Sequence, residues 1–478
     1  MGLFVFFICV ALLVLGYAVY GRLAERIYGV EPDAPMPCVR NPDGVDYVPL
    51  PVWKVFLIQL LNIAGLGPVV GAVSGCLFGP VALLWIVLGC ILAGAMHDFL
   101  AAVMSAERNG ANLPELVGEN LGETARCVMR FVCIFLLLMV GVVFTLLPAG
   151  MLGGMFGGVS VMVWTCIILG YYFLATILPI QTIIGRIYPV FGALFLFMAG
   201  GLLVMLPLSG HEILPDLNLL ENLHPKGIPV WPMLFVTIAC GAISGFHATQ
   251  SPLMVRCLPQ MRDCRRVFYG AMVVEGLVAL VWAAVGLSLR DVILEGGQTM
   301  AQLTLGNPSA AVYAACRELL GPVGGMIGVL GVVVLAITSG DTAMRSCRLM
   351  VADVVRLSQV SVVRRLALAV PLFVAVLIIS QIDFSVIWRY FGWGNQTLSC
   401  FTLWTIAVCL RSRGRCALIA LFPALFMTCM CTTFLLHAPE CGIQLNLTLS
   451  TVIGCVVMAG CLLAFIFTGK QHSANGAE

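Results

Sequence analysis

"NIAGLGPVV", residues 62–70, sits in the middle of an apolar run, with two glycines and a proline between Gly65 and Pro68. Glycine raises the entropic cost of helix and proline removes a backbone donor, so this stretch breaks a helix where an unbroken one would be cheapest. "GAISGFHATQSP", residues 241–252, repeats the device: glycines, small polar residues and a proline interrupt another apolar segment. The spacing of these two stretches along the chain decides the fold.

The surroundings are those of a membrane protein. The chain has 478 residues, 61% hydrophobic and only 10% charged, with a mean hydropathy of +1.04. Soluble domains carry about a quarter charged residues. Apolar runs of spanning length recur to the C-terminal region, and they are continuous rather than alternating, which selects helices over a barrel. Thirteen apolar segments are expected, near 2–20, 52–78, 80–106, 127–148, 157–178, 188–208, 231–254, 267–289, 322–343, 365–381, 388–410, 415–436 and 449–468. Residues 2–20 are read as a retained first helix, because the charged and bulky "YGRLAERIYG" that follows offers no small-residue cleavage site.

Basic residues set the orientation. With the N-terminus outside, only Lys226, Arg290, Arg317 and Arg389 of the 25 Lys and Arg fall on the external side. The C-terminus is then cytoplasmic, and the location is a bacterial inner membrane, multi-pass. A formal net charge of +2 argues against a nucleic-acid partner. The 20 cysteines lie mostly in apolar runs without a CxxC pair and are read as packing residues, not as metal ligands or disulfides. No cofactor is expected beyond a coupling ion, H⁺ or Na⁺. The partners are a small-molecule substrate and the lipid bilayer; the oligomeric state is not legible.

The broken segments are the second and the seventh. An offset of five inverts topology, which predicts two five-helix repeats related by inversion. The expected layout is an N-terminal helix and loop (1–51), a first repeat (52–208), an external loop (209–230), a second repeat (231–410), and a C-terminal helix pair with a tail (411–478). The fold class is thus an all-α polytopic membrane protein of about 13 transmembrane helices. It is a five-plus-five inverted repeat, LeuT-like, with two discontinuous helices, one extra N-terminal helix and two extra C-terminal helices. Paired breaks of this kind form the midplane site of many secondary transporters. Pro68 suits the start of the half-helix after the first break, and Ser251 with Pro252 are expected to cap and open the one after the second. Such half-helix starts favour a carboxylate. The carbonyls near Asn62, Ala64 and Gly65 can coordinate a cation.

Gly65, Gly67, Pro68, Ser244, Gly245, Phe246 and His247 are the candidate substrate-binding residues, joined by Asn395 and Gln396 of "FGWGNQ". His247 is also a candidate for proton coupling; its plainer role is a hydrogen bond to broken backbone. Thr338, Ser339 and Asp341 in "AITSGDTAMRS" are candidate cation or proton ligands with Asn62 and Ala64. Asp341 has an alternative, an i,i+4 pair with Arg345. His97 and Asp98 of "AGAMHDFL" lie about 12 Å inside the cytoplasmic end at ~1.5 Å per residue. With Glu275, at similar depth, they are read as a structural ion pair or a cytoplasmic gate, with a substrate role as the alternative. Asn395 and Gln396 either bind substrate or join helices.

These residues, with "DGVDYVP" (43–49), "NIAGLGPVVG" (62–71), "LAGAMHDF" (92–99), "FVTIACGAISGFHA" (235–248), "TSGDTAMRSCRLMVAD" (338–353) and "FGWGNQ" (391–396), resemble the carbon-starvation protein A family of the amino acid–polyamine–organocation superfamily. The resemblance implies an inner-membrane transporter of peptides, or of pyruvate with protons, in the five-plus-five fold, and no enzyme. Many members carry a histidine pair just before the first break, where Ile58 and Gln59 stand here. Many are also considerably longer. The expected function is secondary active import of a small carboxylate-bearing nutrient, peptide or pyruvate-like, tied to carbon starvation. The alternative is a membrane sensor that binds the nutrient without moving it.

Overall fold

The computed structural model describes residues 2–156, 158–178, 184–214, 218, 221–294, 297–382, 384–439 and 443–474. Parts of the expected external segments (215–217, 219–220, 295–296), the side chain of Arg389 and the last tail residues 475–478 lie outside the described residues. Among the described residues the chain is helical and forms no strand. Main chain in hydrocarbon has to bond to itself, and a continuous apolar run does so as helix.

Apart from the short connecting helices Pro37–Arg40, Leu113–Leu121 and Met300–Gly306, the helices in chain order are α1 (Gly2–Tyr28), α2 (Val52–Ile63), α3 (Gly67–Phe78), α4 (Val81–Glu107), α5 (Glu123–Met155), α6 (Val161–Ile177), α7 (Ile184–Leu208), α8 (Val230–Thr237) and α9 (Gly245–Val255). They continue as α10 (Met261–Ser288), α11 (Pro308–Val354), α12 (Val362–Ile379), α13 (Phe384–Ser412), α14 (Leu418–His437) and α15 (Leu447–Ala474). Local chemistry sets several starts. Ser160 Oγ accepts from Val163 N at 3.4 Å to open α6, and Asn307 Oδ1 accepts from Ala310 N at 3.2 Å to open α11. Pro308 follows at the first helical position, where its missing N–H costs nothing. The 47-residue α11 kinks at Gly321, whose φ is +70°.

Nine helices among the described residues are long and apolar enough to cross a membrane, ten when α2 and α3 count as one bent span. The thirteen expected segments therefore reduce to nine or ten by that measure. The reason is partly the breaks themselves: α8 and α9 have 8 and 11 residues, each too short alone, and α6 has 17. The segment read near 388–410 is helical as α13 but is not among the nine.

Burial separates centre from rim. The most apolar windows of α10 and α4 are 89% and 83% buried, against 11% for α15 and 22% for α12. The central helices therefore pack on protein, and the rim helices present apolar side chains outward as a lipid-facing surface would. Around that centre α9 packs on α2, α4 and α13, α10 packs on α2 and α3, and α11 packs on α2, α5 and α7.

The loop between α1 and α2 folds back under one end of the bundle. Leu50 N donates to Cys257 O at 3.0 Å. Asp46, 2% exposed, pairs with Arg345 Nη1 at 2.7 Å and Arg348 Nη2 at 3.2 Å. Burial alone would push the Asp46 carboxyl up, but the guanidinium groups of Arg345, Arg348 and Arg256 outweigh it and hold the carboxyl below the usual carboxylate range. Arg345 also donates to the carbonyls of Ala175 and Leu178, fastening α6 to α11 at the same end.

Candidate functional site

The first break is a true interruption. α2 ends at Ile63, Ala64 leaves helical geometry at φ −74°, ψ 53°, and α3 restarts at Gly67 with Pro68 in its first turn. The axis bends by 53°. Pro68 thus stands where its sequence placed it. Gly65 is required by crowding: a Cβ there would lie 2.8 Å from the Phe144 ring and 2.9 Å from Ser339 Oγ.

The second break runs from Ile238 to Ser244 between α8 and α9. Ala242 N and Ile243 N turn back to Ala239 O at 3.2 and 2.9 Å, and Gly241 takes φ +90°, which glycine alone adopts freely. Here one expectation is corrected. Ser251 and Pro252 do not open the half-helix; α9 begins at Gly245 after an extended Ser244 (φ −139°, ψ 125°), and Pro252 lies inside it. The cap comes from another helix. Asn395 Oδ1 on α13 accepts from Phe246 N at 2.7 Å and from Ser244 Oγ at 3.1 Å. Gln396 Nε2 donates to Phe235 O of α8 at 2.7 Å. The adjacent amides brace opposite sides of the break, which is the helix-joining role among the two expected of them.

The two breaks meet. A Cβ on Gly67 would collide with Cys240 Cβ and Sγ, one on Gly241 would stand 3.9 Å from Pro68 Cα, and one on Gly71 would stand 3.0 Å from Thr237 O. Phe246 packs edge-on to Phe144, ring centroids 6.2 Å apart. Thr338 Oγ1 and Ser339 Oγ of α11 both donate to Leu61 O, at 2.9 and 3.2 Å, in the last turn before the first break. The hydroxyls thus face the end of the first half-helix, although the carbonyl they meet is that of Leu61 and not those of Asn62, Ala64 or Gly65.

Asp341 points elsewhere. Its carboxylate accepts from Tyr171 Oη at 2.7 Å and from Tyr188 Oη at 2.8 Å, and Tyr188 Oη also reaches Thr338 O at 3.0 Å. The alternative i,i+4 pair with Arg345 does not form, because Arg345 is taken by Asp46.

His97, Asp98 and Glu275, expected as one charged group apart from His247, form a single chain of contacts with His247 at the second break. His97 Nδ1 is 2.8 Å from Asp98 Oδ1, Asp98 Oδ2 is 2.9 Å from His247 Nδ1, and His247 Nε2 is 3.5 Å from Glu275 Oε2. All four side chains are 0% exposed. Several buried polar atoms beside the breaks have no hydrogen-bond partner among the described residues: both amide atoms of Gln59 and of Asn62, both Glu275 oxygens, His247 Nε2 and Asn395 Nδ2. Native interiors leave few such atoms, and these stand on the elements that flank the breaks. Sequence reasoning missed Tyr171 and Tyr188, for which no local signal exists. It also missed Asp46, which did lie in a quoted motif, "DGVDYVP".

Comparison with known proteins agrees with this architecture. A solved structure of MhsT with L-phenylalanine superposes with a TM-score of 0.55 at 13% identity, covering 83% of this chain and 98% of that one. A manganese transporter from Eremococcus coleocola gives 0.53 at 13% identity, with 90% and 99% covered. These likenesses show the fold alone, a LeuT-like transporter fold. In sequence, an uncharacterized membrane protein of Haemophilus influenzae is 42% identical over 337 residues, 60% of this chain and 91% of its own length. The pyruvate/proton symporter BtsT of Escherichia coli is 29% identical over 334 residues, 55% of this chain and 46% of its own. The peptide transporter CstA of Escherichia coli is 27% identical over 344 residues, 57% of this chain and 48% of its own. The chain spans about half the length of these named transporters, and the relatives with a named activity are transporters rather than enzymes. The family described as carbon starvation protein CstA matches residues 1–163 and 151–316, and the chain belongs to it.

Proposed function

We propose that the chain is a secondary active transporter that imports a small carboxylate-bearing nutrient, a peptide or a pyruvate-like acid, across the inner membrane, coupled to H⁺ or Na⁺. The observation that carries this reading is the meeting of two interrupted helices deep in the bundle, Gly67 against Cys240. Irregular backbone at membrane depth is tolerated where protein or a polar cavity covers it, and paired breaks present main-chain dipoles to a solute. In the five-plus-five layout, residues 52–208 and 231–410 form the repeats that alternate access. The N-terminus lies outside and the tail in the cytoplasm. Gly65, Gly67, Pro68, Ser244, Gly245 and Phe246 shape the solute site. Thr338, Ser339 and Asp341 hold or relay the coupling cation. His97, Asp98, His247 and Glu275 form its charged wall. The names of the pyruvate and peptide relatives support the substrate class.

The test is uptake of labelled pyruvate and short peptides into proteoliposomes, with pH and Na⁺ gradients imposed separately. Accumulation driven by one gradient and lost with its ionophore is the expected result. Uptake indifferent to both gradients removes coupling, and tight binding without flux turns the reading to a sensor.

A further inference from the structure

We propose that Cys240 Sγ, His247 Nε2 and the Glu275 carboxylate form a binding site for one divalent transition-metal ion of the zinc class. This inference goes beyond the transport reading and does not depend on it. Among the described residues these three are the group of His, Cys, Asp and Glu side chains able to share an ion, with donor atoms all within 4.8 Å of one another and all three buried.

The spacing suits ligands better than a hydrogen bond. His247 Nε2 and Glu275 Oε2 are 3.5 Å apart, longer than the usual 2.7–3.2 Å of N–H···O. Neither atom makes a hydrogen bond of ordinary length and angle to another side chain among the described residues. Two donors on one tetrahedral ion, with bonds of about 2.0–2.1 Å, stand roughly 3.3 Å apart. A thiolate at ~2.3 Å from the ion belongs some 3.5 Å from the other donors. Cys240 lies on the irregular segment between α8 and α9 rather than in a helix, so its χ1 has the rotamers to close that difference. Space for the sulfur exists because residue 67 is glycine: any Cβ there would collide with Cys240. The first break therefore makes room for a ligand of the second.

The surrounding contacts complete the case. Asp98 Oδ2, 2.9 Å from His247 Nδ1, accepts a hydrogen bond from Nδ1–H in the tautomer that leaves the Nε2 lone pair directed away from Asp98. His97 Nδ1, 2.8 Å from Asp98 Oδ1, holds the carboxylate in turn. A carboxylate behind a histidine is the usual second layer of a metal site, fixing the ring and raising its basicity. Charge agrees as well. A Glu275 carboxylate buried at 0% exposure, with His247 Nε2 3.5 Å away as its ion-pair partner, is expensive, and a divalent ion with one thiolate and one carboxylate is neutral. Sulfur with imidazole and carboxylate selects Zn²⁺ or Co²⁺ over Mg²⁺ or Ca²⁺. Three protein donors leave a fourth position for water or for a solute carboxylate.

The experiment uses the purified full chain, stripped with a chelator and titrated with Co²⁺. The expected result is one Co²⁺ per chain, with visible bands of tetrahedral strength and a near-ultraviolet thiolate-to-cobalt band, all bleached by Zn²⁺. Cys240→Ser abolishes the near-ultraviolet band, Cys316→Ser leaves it unchanged, and Asp98→Asn weakens binding about 10- to 100-fold. Should Cys240→Ser fail to fold, X-ray absorption of the zinc-loaded wild type decides: one sulfur with the remainder N and O supports the site. Sub-stoichiometric binding, an octahedral spectrum, a thiolate band that survives Cys240→Ser, or a zinc shell with no sulfur or several overturns it. In those cases His247 acts as an organic base or acid only.

Discussion

The two breaks use one device for different chemistry. At the first, the chain opens around Ala64–Leu66 and the groups that touch it are neutral: the Gln59 and Asn62 amide atoms have no hydrogen-bond partner among the described residues, and the Leu61 carbonyl is met by two hydroxyls. At the second, the chain opens around Ala239–Ile243, and the neighbourhood holds two histidines and two carboxylates in one chain of contacts. Two interrupted helices that meet can thus divide the work, dipoles at one break and charge at the other. Main-chain dipoles are fixed by the fold, whereas charge is set by a few side chains and is free to differ between the halves.

This contrast can be broken by substitution. The largest stability effect is expected outside both breaks. Asp46→Asn leaves Arg345 and Arg348, each at most 1% exposed, without their counter-charge, a loss of about 3–5 kcal/mol visible as a lowered melting temperature in detergent. A break variant that destabilises more than this would make the breaks stabilising elements rather than functional ones. Next comes Gly67→Ala, which drives a methyl into Cys240. Overpacking costs about 1–3 kcal/mol, and uptake should fall at least tenfold, because both breaks shift together. Normal uptake by this variant would show that their close approach is not used.

Asn395→Leu removes the acceptor of the Phe246 N–H and so disturbs the second break alone. An unsatisfied buried donor costs about 1–3 kcal/mol. The expected readout is lost solute affinity with the cation dependence retained. Thr338→Val acts on the first break alone. It keeps the shape, removes one donor to Leu61 O, and should cost only about 0.5–1.5 kcal/mol while weakening the dependence on the coupling cation in proteoliposomes. If these two variants have the same phenotype, the division of labour fails.

The last test is with pH, and at neutral pH its expected effect is nil. Because the Asp46 carboxyl is held below its ordinary value, its contribution is fully present above about pH 4, near the unfolded value, and is lost as pH falls through the folded value. Thermal stability should therefore be insensitive to this group from pH 8 to 5 and decline in acid, and Asp46→Asn should remove that acid limb.

Much of the fold was legible because lipid leaves the chain few choices. Continuous apolar runs announced helices, and Gly65, Gly67, Pro68 and Gly241 announced interruptions, since each acts through its own φ or its own missing atoms. Pro68 opening a half-helix is a local property and came out as read. Ser251 and Pro252 were misread for the opposite reason. Their pattern satisfies the local rule for a helix start, but Asn395, some 150 residues away in the chain, supplies the cap and lets α9 begin at Gly245.

The candidate site divides along the same line. Sequence by itself determined which residues are too polar to lie idle in a bilayer: His97, Asp98, His247, Glu275, Thr338, Ser339 and Asp341. Only the tertiary structure decided their partners. It joined the first four, turned Asp341 toward Tyr171 and Tyr188, and took Arg345 away to Asp46. The cost of burying a polar group is a property of the residue, whereas the partner that offsets the cost is a property of which helices pack together.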